Sequence, residues 1–136
     1  MRKIFISPGD PSGIGPEVAL KALDKNKDIQ KEFVLGGDVN YYQDFAKRLN
    51  LNLNFIEEDS SDNGIKVKHF PLKNKINPGI PEVDNSNYIM DVLSYGALGC
   101  LSKKYNGLIT GPVNKELINQ SGFEFSGHTE FLADIC

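Results

Sequence analysis

The sequence predicts a three-layer α/β fold built on a largely parallel, partly mixed sheet. Short apolar runs alternate along the chain with amphipathic stretches of helical length. Gly/Pro-rich junctions stand where strands of such a sheet hand over to helices. A pair of alternating runs around an acidic turn reads as hairpin-like, which makes the expected sheet partly mixed.

Lys3 to Ile6 is the first apolar run, and it stops at Ser7-Pro8-Gly9-Asp10-Pro11-Ser12-Gly13-Ile14-Gly15-Pro16. Gly15 suits an N-cap and Pro16 the first turn of a helix, with Val18, Ala19, Ala22 and Leu23 as its apolar stripe. Phe33-Val34-Leu35 is a buried-strand candidate closed by Gly36-Gly37, and Asp38 caps a helix whose stripe is Tyr41, Tyr42, Phe45, Ala46 and Leu49. Leu51, Leu53 and Phe55 alternate, as do Ile65, Val67 and His69, so both runs read as strands. The stretch from Glu57 to Gly64 between them reads as a solvated acidic turn without the ligand order of a calcium loop.

Pro71 to Pro81 is irregular. Ser86 to Lys104 is the longest predicted helix, with Ile89, Val92, Leu93, Ala97, Cys100 and Leu101 on one face and Lys103-Lys104 at its C-terminal end. Gly107 to Thr110 is a strand ending in Gly111-Pro112. A short helix follows through Lys115 to Asn119, and Gly127-His128-Thr129-Glu130 opens a last one with apolar Phe131, Leu132 and Ile135. That helix has run about two turns at Cys136, short of the ~11–12 residues of a mean helix, so residues 1–136 read as a fragment of a longer chain, with no internal domain boundary. Phe131, Leu132 and Ile135 are then expected to lie exposed.

The 136 residues are 40% hydrophobic and 24% charged, in the globular range. Mean hydropathy is -0.32, and no apolar run approaches the ~18 residues of a membrane span. The start breaks after three apolar residues, too few for a signal peptide. A net charge of -3 argues against a nucleic-acid surface. Two cysteines, Cys100 and Cys136, cannot build a disulfide framework or a zinc cluster unaided, and the default compartment is a reducing cytoplasm. Asn119-Gln120-Ser121 matches a glycosylation sequon, which carries no weight without a secretory route.

Three Gly-containing junctions can carry chemistry: Ser7 to Glu17, Thr110 to Lys115, and Ser126 to Glu130. Free N–H groups at helix starts, with glycines that let a ligand approach, suit a phosphate or carboxylate. If Gly13 or Gly15 takes a positive φ or lets a ligand approach closely, a valine there should damage binding or folding. The first junction lacks both the Walker pattern and Gly-x-Gly-x-x-Gly, so an ordinary Rossmann dinucleotide site is unsupported, and a stiff connector is the competing reading. His128 stands at a predicted helix start beside Thr129, where imidazole, hydroxyl and backbone N–H groups together can hold a hydroxy acid or a phosphate. Lys115 can supply a cation near an anion or lie on the surface. His69 continues an alternation and reads as a half-buried structural histidine; Cys100 reads as packing.

Taken together, Ser7–Glu17, Ile109–Lys115 and Ser126–Phe131 resemble the N-terminal part of the 4-hydroxythreonine-4-phosphate dehydrogenase family of vitamin B6 synthesis, in the same order and with similar separation. The resemblance covers essentially the whole chain but about the first two-fifths of the family's. It implies an isocitrate/isopropylmalate dehydrogenase-like architecture and a homodimer with each active site at the subunit boundary. It also implies NAD-dependent oxidation of 4-phosphooxy-L-threonine to a 3-oxo acid, which decarboxylates to 3-amino-2-oxopropyl phosphate. His128 and Thr129 match the family's substrate-binding pair. The divalent metal (zinc, magnesium or cobalt) would be held by histidines beyond this segment, so neither His69 nor His128 is taken as a ligand. No catalytic residue is assigned, and Asp10 and Lys115 lie in family motifs without a definite role. Two other readings stand beside this one: a non-catalytic anion-binding domain, and a sister dehydrogenase for another phosphorylated hydroxy acid or a ring dihydrodiol.

Overall fold

The computed structural model describes residues 2–136. Five strands form one sheet in the order β3-β4-β2-β1-β5: β1 is Ile4–Ser7, β2 Phe33–Gly37, β3 Phe55–Glu57, β4 Ile65–His69 and β5 Gly107–Thr110. Every neighbouring pair is parallel. The largely parallel expectation is met, and the mixed portion is corrected: β3 and β4 align Phe55 with Ile65 and Glu57 with Val67, so they are no hairpin. The chain instead returns beneath itself through residues 58–64, tied where Ile65 N–H donates to Asn54 O at 2.8 Å and Asn54 Nδ2 donates to Asn63 O.

Side-chain alternation gives the sheet two apolar faces. Ile6, Leu35, Ile65 and Val67 point to one face, where they pack with Leu20 and Leu23 of helix α1 (Gly15–Lys25) and with Tyr42, Phe45 and Ala46 of α2 (Val39–Arg48). Phe5 and Val34 point to the other, against Val92 of α3 (Ser86–Leu101) and Tyr105. A Cβ on Gly96 of α3 would collide with the Phe5 and Leu108 side chains, so α3 lies closer to the sheet than a larger residue there would allow. Two further helices, α4 (Lys115–Gln120) and α5 (His128–Ile135), close the α3 side. Ile118 and Phe125 join Ile89, Met90 and Leu93 in a third cluster there.

Local chemistry sets several boundaries. The Asp38 carboxylate accepts from Asn40 and Tyr41 N–H and so caps α2, and Asn114 caps α4 through Leu117 N–H. Helix α1 begins one residue earlier than expected, with Ile14 as N-cap and Pro16 in the first turn. Of its expected stripe Leu23 is buried, but Val18 is 58% exposed. Leu51 and Leu53 pack as partly buried residues ahead of a shorter strand. Helix α3 ends at Leu101, so Lys103 (φ 65°) and Lys104 lie beyond it; Cys100 packs against the Phe5 cluster as expected, whereas Leu101 is exposed.

The acidic turn is only partly solvated. Glu58 is 7% exposed, and its carboxylate accepts from the Tyr105 hydroxyl and lies 3.3 Å from Lys104 Nζ. Partners 47 residues away, invisible in the local sequence, turn an apparently soluble residue inward.

Candidate substrate-binding site

β1 lies between β2 and β5, and the chain leaves its two neighbouring strands β1 and β5 toward opposite faces: after β1 it enters α1, after β5 it enters α4 on the α3 side. In open α/β sheets such a reversal opens a crevice beyond the carboxyl ends of the strands, where ligands bind. The register places Ser7 directly beside Thr110 at that point. The two junctions singled out from sequence are therefore brought together.

They are also locked to each other. Gly111 N–H donates to Ser7 O at 2.7 Å and Asp10 N–H donates to Pro112 O at 3.1 Å. Cβ atoms at Gly9, Gly15 and Gly111 would overlap the main chain of Pro112, Pro8 and Pro8 respectively, and Gly9 alone of the three has a left-handed backbone (φ +85°). Gly13 takes no positive φ, and a Cβ there would meet Asp10 O at 3.4 Å and Asp10 Cβ at 3.8 Å. The space these glycines provide is occupied by the chain itself.

Asp10 is buried and used locally, accepting Ser12 N–H at 2.9 Å and Ser12 Oγ at 2.7 Å. Tyr41 Oη donates to Pro11 O and Gly79 N–H to Ser12 O, both at 2.7 Å, so the loop is held from α2 and from the irregular segment as well. On the α1 side, Pro8, Ile14, Val18, Ile109 and Pro112 line an apolar groove of about 350 Å³. Its lining suits packing against hydrocarbon better than holding a phosphate.

The third junction adjoins the second. Lys115, the first residue of α4, is exposed and donates from Nζ to Ser126 O at 3.3 Å. Gly127, with φ 144° and ψ 171°, leads into α5, placing half-buried His128 and exposed Thr129 in its first turn. His69 lies apart, at the end of β4. It is exposed, not half-buried as expected, because it closes the strand at the start of α2 and accepts Val39 N–H through Nδ1 at 3.2 Å. At the end of β2, Asp38 N–H donates to Tyr88 Oη at 3.0 Å, and burial pushes the Tyr88 phenol up to about 12.

Among the described residues no group of three or more His, Cys, Asp or Glu converges as ligands for a metal ion. The donor set present does not fit a catalytic metal, and no chemistry of these residues is assigned to one. No helix among the described residues is long and apolar enough to cross a membrane.

The family model for the pyridoxal phosphate biosynthetic protein PdxA matches residues 28–136. The chain belongs to the PdxA family. Similar proteins include the 4-hydroxythreonine-4-phosphate dehydrogenases of Enterobacter sp. (strain 638), 32% identical over 98% of this chain and 42% of that protein, and of Yersinia pestis, 34% identical over 97% and 41%. The chain thus spans about two-fifths of the length of these PdxA relatives. Among solved structures, 4-hydroxythreonine-4-phosphate dehydrogenase from Klebsiella pneumoniae superposes with a TM-score of 0.86 at 26% identity, covering 99% of this chain and 44% of that one. A terephthalate 1,2-cis-dihydrodiol dehydrogenase from Burkholderia xenovorans shares the fold, with a TM-score of 0.73 at 22% identity over 91% of this chain and 38% of that one. These PdxA relatives are 4-hydroxythreonine-4-phosphate dehydrogenases, and the fold matches theirs.

Phe125 went unremarked in the sequence, as did the contacts by which Asn119 and Tyr41 fix the loops around these residues. The Phe123-x-Phe125 alternation was the available signal for Phe125; the Asn119 and Tyr41 contacts are tertiary and left none.

Proposed function

We propose that residues 1–136 form the N-terminal portion of a dehydrogenase that oxidises the 3-hydroxyl of 4-phosphooxy-L-threonine with NAD, and that this portion supplies substrate contacts. The 3-oxo acid formed loses carbon dioxide to give 3-amino-2-oxopropyl phosphate. The observation that carries the reading is the clustering of the β5 loop, Lys115 and the His128-Thr129 turn near the carboxyl end of the sheet, in a chain of the PdxA family.

In this reading His128 and Thr129 bind the substrate. The imidazole and hydroxyl offer hydrogen bonds at a helix start, where the peptide dipoles favour an anionic group. The residues that hold NAD and a divalent metal are assigned to the remaining length of the family, as are the contacts that complete a homodimeric site. A cytoplasmic location goes with this assignment.

The test is NADH formation from NAD and 4-phosphooxy-L-threonine by a chain of the relatives' full length that carries this segment. Turnover with release of carbon dioxide is expected. Absence of turnover with this substrate, alongside turnover of another phosphorylated hydroxy acid or a dihydrodiol, would reassign the substrate. Tight phosphate binding without turnover of any of them would favour a non-catalytic anion-binding role.

A further inference from the structure

Phe125 is the one buried residue in the stretch 121–127 that joins α4 to α5. Its ring packs into the cluster of Ile89, Met90, Leu93 and Ile118. Its backbone N–H donates to Asn119 Oδ1 at 2.6 Å, so the connection is held at its centre by a side chain of α4. The ring also meets α5. The His128 imidazole stands edge-on to it, with centroids 5.7 Å apart and planes at 85°, and Phe131 lies 5.9 Å away at 52°. His128 and Phe131 are three residues apart and share one side of the helix, so a single phenyl ring aligns the first turn of α5.

No hydrogen bond among the described residues fixes the imidazole of His128. Its orientation rests on the aromatic contact, which leaves both ring nitrogens available to a ligand. We propose that Asn119 and Phe125 are positioning residues for His128. The Asn119 carboxamide sets the turn that brings the phenyl ring into place, and the ring sets the plane of the imidazole. The proposal rests on the reading that His128 contacts substrate. It adds the two residues that hold the side chain ready beforehand, lowering the ordering cost of binding.

The test uses three substitutions. Asn119→Ala removes the acceptor, Asn119→Asp keeps one, and Phe125→Leu keeps apolar bulk but removes the ring. Nuclear magnetic resonance of the histidine ring protons in a full-length protein, with the His128 signals assigned by their loss in His128→Ala, reports the surroundings of the imidazole, with His69 as internal reference. The His128 signals are expected to move in Asn119→Ala and Phe125→Leu, and to return toward the parent in Asn119→Asp, while the His69 signals stay in place. In a full-length protein, Asn119→Ala is expected to raise KM for 4-phosphooxy-L-threonine about three- to tenfold, the equivalent of one neutral hydrogen bond, with kcat nearly unchanged. Asn119→Asp should restore KM.

Unmoved His128 signals in Asn119→Ala, with the remaining spectrum intact, overturn the proposal; Phe125→Leu serves as the reference for the shift that loss of the ring current alone produces. So does a KM raised equally by Asn119→Asp and Asn119→Ala. If His128→Ala weakens substrate binding but Asn119→Ala and Phe125→Leu do not, the positioning role alone fails. If His128→Ala leaves KM unchanged, the substrate reading fails and the proposal with it.

Discussion

Tyr105 and Glu58 join opposite flanks of the molecule, the phenol donating to both carboxylate oxygens in a contact that water barely reaches. Tyr105 packs between Phe5 and Tyr95, and Glu58 anchors the return of the chain from β3 to β4. Removing the hydroxyl leaves a buried carboxylate with Lys104 as its remaining neighbour. A hydrogen bond to a charged group contributes about 1.5–3 kcal/mol, so Tyr105→Phe should lose that much in urea denaturation. Glu58→Gln, which keeps an acceptor, should lose less. A Tyr105→Phe chain as stable as the parent would show the contact to be incidental.

The buried phenols also set an alkaline limit. Burial raises Tyr88 to about 12, and raises Tyr42 and Tyr105 as well. Above a pH of ~10 the unfolded chain releases these protons while the folded chain keeps them, so stability falls as pH rises. For Tyr88 the stabilisation is fully present below its ordinary value and is lost between about pH 10 and 12. Stability measured by denaturant across that window should decline, and Tyr88→Phe should flatten the decline.

The interlocked loops make opposite predictions for neighbouring glycines. A Cβ at Gly111 has nowhere to go against the Pro8 main chain, whereas Gly13 has room for one. Gly111→Ala should therefore lower the melting temperature by several degrees, in keeping with a cost of about 1–3 kcal/mol for an overpacked site. Gly13→Ala should change it little. Equal melting temperatures for the two variants would mean that the loops move apart freely.

Much of this was legible in the sequence because its causes are local. Asp38 and Gly127 announce the starts of α2 and α5 within a few residues of where they occur. The alternation of strands and helices gave the parallel sheet. What was not legible depends on distant partners. The β3–β4 pair reads as a hairpin until the chain between them is seen to return to the same end. His69 continues an apolar alternation but sits where β4 runs out of cover. At the site, the proximity of the β5 loop to the His128 turn follows from topology, while its support by Asn119 and Phe125 could not be read from spacing.

The exposed apolar surface is elsewhere than expected. Phe131, Leu132 and Ile135 are half-buried, with Phe131 packed on Phe125, while Ile14, Val18 and Ile109 line an open groove at 69%, 58% and 47% exposure. Contiguous apolar surface favours association. The 136-residue chain should self-associate at micromolar concentration, and Val18→Glu with Ile109→Lys should shift it toward monomer in analytical ultracentrifugation. A parent chain that stays monomeric would show the groove to be harmless.

His128→Ala in a full-length protein should cut kcat/KM about ten- to a hundredfold, the loss of one hydrogen bond of roughly 1.5–3 kcal/mol to a charged group. Thr129→Val should act in the same direction more mildly. Metal content of the purified protein should be unchanged in both. Loss of metal from a folded His128→Ala protein would make His128 a ligand and not a substrate contact.

The place of β1 between β2 and β5 has a temporal side. β1 can pair with β2 once residue 37 has been made, but its other edge waits for Thr110. Roughly 70 residues separate the two partners, and synthesis at about 5–20 residues per second leaves that edge open for some 4–14 s on the ribosome. Closing it joins positions about a hundred residues apart, a pairing of high contact order that is slow to form. During that interval the nascent chain presents an unpaired apolar strand to its surroundings.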